Sequence, residues 1–162
     1  GSLGAGLVSD SRLLLISRDD ILGVAPDKEA NKLFRTLARL TRADFQLLAT
    51  APQPEEWSRE HGGPEDVLLG PGSIRKRLAD FGGTLEGVYY VPRSLLTQKR
   101  NREEALRDMM GRYSIAPGHC FLYSSSRKFV DAAHGLGIAA TYLGDERKLI
   151  DELRKLLMSV DS

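Results

Sequence analysis

The stretch Leu13-Leu14-Leu15-Ile16-Ser17-Arg18-Asp19-Asp20-Ile21-Leu22-Gly23, LLLISRDDILG, joins four apolar residues directly to a cluster of polar and charged ones. An apolar run this short, with no polar alternation, is typical of a strand that is covered on both faces. Strands of this kind lie inside parallel sheets, and ligands bind at the carboxyl ends of such strands. The stretch therefore predicts a buried strand that delivers residues 17–20 to a functional edge.

The rest of the chain repeats this pattern of short apolar runs, most of them separated by longer stretches with helical spacing. The other apolar runs cover residues 45–49, 88–91, 121–123 and 138–143. Helices are expected after Pro26-Asp27, from Ile74 to Phe81 before Gly82-Gly83, and after Asn101 and Asp145, each as a cap. The alternation predicts an α/β fold, a three-layer Rossmann-like domain whose mostly parallel central sheet has helices on both faces.

Composition places the chain among ordinary globular proteins. It has 162 residues, a net charge of +1 and 41% hydrophobic residues, so charge alone gives no argument for nucleic-acid binding. The one cysteine, Cys120, excludes an internal disulfide and a cysteine-rich zinc site. No apolar run approaches the roughly 18 residues of a membrane span. A soluble, cytoplasmic protein is expected.

The domain organisation is predicted from the first residues of the chain and from a stretch rich in Pro, Gly and Glu. The chain starts Gly1-Ser2 without methionine, which predicts that residues 1–11 are a tag remnant or disordered lead and that an adjoining domain belongs to a longer protein. Residues 12–158 are expected to form one domain. Within it, residues 52–72 are rich in Pro, Gly and Glu, which predicts a mobile loop beside the carboxyl edge of the sheet.

The polar ends of the strands resemble, in order and spacing, the motifs of the haloacid dehalogenase superfamily, most of whose members are Mg-dependent phosphatases. The similarity is greatest to the branch of histidinol-phosphate and heptose-bisphosphate phosphatases, whose first motif reads Asp-Arg-Asp-Gly. It runs from about Leu13 to Leu143. The resemblance implies the fold of that superfamily with a minimal cap or none.

The first motif of the family matches LLISRDDIL. The resemblance puts Ser17 at the nucleophile, Asp19 at the general acid/base and Asp20 at the glycine. Asp19 is therefore the first candidate for a catalytic role. Asp20 is interpreted as a turn or capping carboxylate rather than a displaced nucleophile.

The remaining motifs match in the same order. LLAT puts Thr50 at the second motif, and QKRNREEALRDMM puts Lys99 at the motif lysine. FLYSSSRKFVDAAHGLGIAA aligns with the fourth motif, with Ser124-Ser125 at Gly-Asp and Phe129 at the second Asp. LEGVYYVPR resembles the opening of the branch's zinc loop with Val91 and Arg93 at the Cys and His positions, so no zinc site is expected.

The substitutions have a chemical consequence. Ser17 and Ser125 replace two carboxylates that would bind Mg²⁺, a hard cation that prefers anionic oxygen ligands. Serine is also a weak nucleophile without an activating base or metal. No metal site and no cofactor are expected, and Mg²⁺ enters only if the domain is an active enzyme.

The surviving polar residues have two interpretations. Ser17, Thr50, Lys99, Ser124 and Ser125 form a metal-free cradle for phosphate or another anion, or they fill a vacated pocket. The three histidines have no ligand spacing. The basic run of residues 93–112, which contains Lys99, Arg100, Arg102 and Arg107, is interpreted as a solvated helix face, and Asp131 as a helix-surface residue.

Three functions stay open. The first is a catalytically degenerate pseudophosphatase domain, not an enzyme, that acts as a regulatory or protein-interaction module. The second is a phosphohydrolase that uses Asp19 or Asp20 on a small phosphorylated metabolite, and the third is a metal-free sensor of a phosphorylated ligand. The expected partner is another protein or an adjoining domain, or a small phosphorylated ligand, with no nucleic acid and no membrane.

Overall fold

A computed structural model describes residues 11–23, 28–52, 74–91 and 99–161 of the chain. The strands in these ranges are β1 (Arg12–Ser17), β2 (Phe45–Pro52), β3 (Leu85–Val91), β4 (Cys120–Ser124) and β5 (Ala139–Tyr142). The helices are α1 (Arg18–Leu22), α2 (Lys28–Arg42), α3 (Ile74–Asp80), α4 (Lys99–Arg112), α5 (Arg127–Gly135) and α6 (Leu149–Asp161), with a short 3-10 turn at Pro117–His119. Almost all of the predicted lead and of the predicted loop at residues 52–72 lies outside the described residues.

The strands form one sheet in the order β3-β2-β1-β4-β5, and every pairing is parallel. The first three strands extend the sheet in one direction from β1, and β4 then continues it on the other side. The strand order therefore reverses between β1 and β4, the place where open α/β sheets hold their ligands. All five predicted apolar runs are strands, and the predicted parallel α/β sheet is confirmed.

The two faces of β1 explain its unbroken apolar sequence. Leu14 and Ile16 pack against α2, α3 and α6, whereas Leu13 and Leu15 pack against α4 and α5. All four side chains are 0% exposed. Helices thus cover both faces of the sheet, which confirms the three-layer architecture.

The helices follow their apolar spacing, but the two predicted caps are wrong. The inward residues expected in α2 and α6 are buried, among them Leu33, Leu37 and Leu153. Asn101 was expected to cap α4, but the helix begins at Lys99. Asn101 therefore lies within the helix rather than at its cap. Asp145 was expected to cap α6, which begins at Leu149. None of the helices in the described ranges is long and apolar enough to span a membrane.

The single cysteine belongs to the core of the sheet. Cys120 begins β4 and is buried in the cluster formed with α4 and α5. Burial raises the pKa of its thiol to about 12, because the thiolate would lose its hydration. The thiol is protonated at neutral pH and acts as a small apolar residue rather than a nucleophile.

Candidate anion site at the strand ends

A cavity of about 210 Å³ lies at the carboxyl ends of β1, β2 and β4, on the side of the sheet that α4 and α5 cover. Ser17 lies beside Thr50 in the register of β1 and β2, and Ile16 pairs with Tyr123 just before Ser124. Three of the predicted site residues therefore meet at one level of the sheet. The lining residues are Leu15, Ser17, Thr50, Ala51, Val91, Arg102, Leu122, Tyr123, Ser124, Ser126, Lys128 and Phe129.

The serines after β4 form a hydrogen-bonded turn. The buried Ser124 accepts a hydrogen bond at its Oγ from the backbone N–H of Ser126, 3.0 Å away. Ser126 in turn caps α5, because its Oγ accepts from the N–H of Phe129 at 3.3 Å. The carbonyl of Ser124 accepts from the N–H of Leu143 at 2.8 Å. The hydroxyl group of Ser124 can still donate one hydrogen bond to a ligand in the cavity.

Ser125 lies apart from this group. Its side chain is exposed and borders a separate depression between α5 and β5, rather than the cavity that Ser17, Thr50 and Ser124 share. Its backbone N–H donates to Oδ2 of Asp20 at 3.0 Å. The Asp20 carboxylate thus bridges the start of α1, after β1, and the tip of β4. The sequence predicted a turn or capping carboxylate at Asp20; in the structure Asp20 lies inside α1 and accepts a long-range hydrogen bond instead.

Removing the Asp20 bridge is expected to weaken the fold. Asp20→Ala leaves the Ser125 amide to water and should lower the free energy of unfolding by about 1 kcal/mol, the typical net value of one hydrogen bond. Asp20→Asn keeps a side-chain oxygen acceptor and should lose less. Urea denaturation of the two variants measures the difference, and equal stability of Asp20→Ala and the unmodified protein would contradict the bridge.

The remaining predicted site residues are Asp19 and Lys99. Asp19 is exposed, with a side-chain accessibility of 71%, and its Oδ1 lies 3.8 Å from Nε of Arg18. It borders a shallow depression with Lys148 and Glu29 instead of the strand-end cavity. Lys99 begins α4, and its side chain lies outside the described residues.

Phe129 closes the cavity where the resemblance puts the second aspartate of the fourth motif. The ring is buried in the apolar cluster between the sheet, α4 and α5. In the described parts of the chain no three His, Cys, Asp or Glu residues converge on a point that could hold a metal. Hydroxyls, apolar groups and the cationic side chains of Arg102 and Lys128 line the described cavity, and they do not fit a Mg²⁺ ion, which prefers carboxylate oxygens.

Arg102 corrects the interpretation of the basic run. The side chain was expected on a solvated helix face, but Arg102 is 8% exposed and borders the cavity. The signal was present in the spacing, since Arg102 precedes the inward Ala105 and Leu106 by three and four residues. Arg100 and Arg107 do lie on the solvated face, where they pair with Glu104 and Glu103.

Comparison with known proteins identifies the class of fold. No protein-family model and no curated protein matches the chain. Among solved structures, the chain is similar to the D,D-heptose 1,7-bisphosphate phosphatase from B. bronchiseptica complexed with magnesium and phosphate, with 18% identity, a TM-score of 0.65, and coverage of 91% of this chain and 99% of that one. An uncharacterized protein from Corynebacterium glutamicum matches with 16% identity and a TM-score of 0.60, over 91% of this chain and 95% of that one.

At these identities the likeness concerns the fold. The chain has a haloacid dehalogenase-like fold, as the order of its motifs predicted. The predicted minimal cap remains a prediction, because residues 24–27, 53–73 and 92–98 lie outside the described part.

Proposed function

We propose that this haloacid dehalogenase-like domain is a catalytically degenerate phosphatase domain that works by binding, as a regulatory or protein-interaction module. The observation that supports the proposal most is the character of the strand-end cavity. Ser17 and Phe129 border it at two positions where the resemblance expects carboxylates. A carboxylate nucleophile and a metal's ligand shell are therefore both missing from its described lining.

The chemistry of phosphate-ester hydrolysis also supports a domain without catalytic activity. Phosphate-ester hydrolysis has a very high barrier, and in metal-dependent phosphatases the ion and the nucleophile supply much of the transition-state stabilisation. Ser17 needs a base to attack phosphorus. No His, Asp or Glu is among the described residues that line the cavity. Burial, and to a lesser degree Glu152, raises the pKa of Tyr123 to about 12, so this phenol is protonated at neutral pH and is no base.

The test is turnover of p-nitrophenyl phosphate with Mg²⁺. We expect a rate equal to the buffer background, no rise in melting temperature on adding Mg²⁺, and no change in either result for Ser17→Ala or Asp19→Ala. Turnover that Asp19→Ala abolishes, and that Ser17→Ala leaves intact, would overturn the proposal and favour the phosphohydrolase. That alternative has weak structural support, since Asp20 is held by the Ser125 amide and Asp19 borders another depression.

The proposal also includes the partner of the domain and its location in the cell. The partner is a second protein or an adjoining domain. A cytoplasmic location is supported by the use of a single cysteine, the buried Cys120, which cannot form an internal disulfide. The third function, a metal-free sensor of a phosphorylated ligand, is favoured by one specific observation, the two cationic side chains at the cavity.

A further inference from the structure

Positively charged side chains form a row along the outward face of helix α2. They follow one another every three or four residues, the spacing that places side chains above one another on a helix. All of them are exposed. At 1.5 Å per residue the row is about 21 Å long. We call it the α2 stripe, and it consists of Lys28, Lys32, Arg35, Arg39 and Arg42.

Helix α3 adds further cations beside the α2 stripe. Together the two helices contain eight of the 23 Lys and Arg residues of the chain but only two of its 22 Asp and Glu residues. A surplus of six positive charges therefore lies on two helices of a chain whose net charge is +1. The rest of the chain has a surplus of five negative charges, so the charge is strongly asymmetric although the composition is balanced.

Helix stability alone does not account for a row of like charges. Like charges three or four residues apart repel, and the helix macrodipole disfavours a cation at Lys28, where α2 begins. Helix α4 solves this problem within itself, because its cations pair with acids one turn away: Arg100 with Glu104, Arg107 with Glu103, and Arg112 with Asp108. Helix α2 contains one acid, Glu29. A bound anion would relieve the repulsion along the α2 stripe.

Contacts between α2 and α3 hold several of the guanidinium groups in place. The guanidinium carbon of Arg35 lies 5.5 Å from the centre of the Phe81 ring, and that of Arg77 in α3 lies 4.1 Å from the centre of the Phe34 ring. Nη1 of Arg42 donates to the backbone carbonyl of Phe81 at 2.7 Å. Side chains held in this way lose less conformational entropy on binding. Their planar forks match carboxylates, which accept two parallel hydrogen bonds.

The surroundings of the α2 stripe favour a short acidic peptide over a nucleic acid or a membrane. Single-stranded nucleic acid stacks its bases on aromatic rings, but guanidinium groups already cover Phe34 and Phe81. Membrane insertion needs exposed apolar side chains, and the large ones among the described residues, Leu22 and Met158, lie on other helices. A long polyanion would also meet the negative surplus on the rest of the chain.

We propose that the α2 stripe, together with the cations of α3, docks an extended segment of a partner protein that is rich in Asp and Glu. About six residues of extended chain span roughly 20 Å, which matches the length of the stripe. The inference deepens the proposed function and rests on it, because it gives the chemistry of the partner that a protein-interaction module would bind.

The experiment is a fluorescence-anisotropy titration of a labelled peptide of alternating Glu and Asp with the full chain. We expect binding that weakens as salt is added, because exposed charges are screened. Lys32→Gln combined with Arg39→Gln removes two charges from the stripe and should weaken binding roughly three- to tenfold. Arg100→Gln combined with Arg107→Gln removes two charges with the same spacing from the solvated face of α4 and should leave the affinity within about twofold.

Both double variants replace exposed side chains and should retain the native circular dichroism spectrum. Equal weakening by the two would overturn the α2 stripe as the site, because net charge alone would then explain the binding. Absence of peptide binding, or tighter binding of an oligothymidylate of equal charge or of phosphatidylserine vesicles, would overturn the acidic protein partner. These results leave the non-catalytic proposal standing, whereas turnover of p-nitrophenyl phosphate overturns that proposal and leaves the measured peptide binding unchanged.

Discussion

The variant Leu14→Ala is expected to lower the free energy of unfolding by about 2–5 kcal/mol, the cost of deleting a fully buried leucine whose surroundings collapse only in part. Leu14 is 0% exposed on the central strand and packs in the cluster that joins the sheet to α2, α3 and α6. Domains of this size typically have a free energy of unfolding of about 5–15 kcal/mol. The substitution should therefore remove a large share of the total stability.

Urea denaturation followed by circular dichroism measures this loss. Leu22→Ala is the matched control, because Leu22 carries the same side chain at 44% exposure on α1. Its free energy of unfolding should change by about 0.5 kcal/mol or less. If the two variants lost equal stability, Leu14 would not have the central packing role that the structure gives it.

The second large effect is expected at Gly83, where the turn after α3 passes close to α2. A Cβ atom on Gly83 would lie 2.7 Å from Cα and 2.8 Å from Cβ of Ala38, closer than such atoms pack. The backbone of this turn is also fixed, because the N–H of Gly83 donates to the carbonyl of Leu78 at 2.8 Å. Gly83→Ala should lower the free energy of unfolding by about 1–3 kcal/mol through overpacking.

Gly87→Ala provides the comparison for Gly83→Ala. A Cβ atom on Gly87, in β3, would meet no other atom within 4 Å. The added methyl group should be neutral or slightly stabilising, because alanine loses less backbone entropy than glycine on folding. Thermal unfolding of both variants separates steric crowding from a general effect of losing glycine, and a Gly83→Ala variant as stable as Gly87→Ala would rule out the crowding.

The fold was predictable because its signals are local and repeated. The run from Leu13 to Ile16 is apolar at every position, which is typical of a strand that is buried on both sides. The helical stretches showed their inward residues by spacing, and the glycines after α3 marked its end. In the structure, Gly82 adopts a left-handed φ of 80° there. Parallel order then followed from the alternation of the elements.

The site was predictable only in part. Ser17, Thr50 and Ser124 were expected to lie together, because each stands at the end of a predicted strand and parallel strands end at the same edge of the sheet. Ser125 lies outside the cavity because of the backbone direction at one residue after β4. The periodicity of the sequence gives no information about that direction. Arg102 was missed because a charged residue was assumed to be solvated, although its spacing from Leu106 put it on the buried face. At such positions tertiary packing, rather than the charge of the side chain, determines whether the residue is buried.

Phe129 limits which groups the strand-end cavity can hold. Its ring belongs to the apolar cluster between the sheet and helices α4 and α5, and its N–H is held by the cap of α5. An aspartate introduced there would bury a carboxylate in a space shaped for a benzyl group and would remove core packing at the same time. Phe129→Asp alone is therefore expected to destabilise the domain. A carboxylate at this position would need further changes in the surrounding apolar cluster.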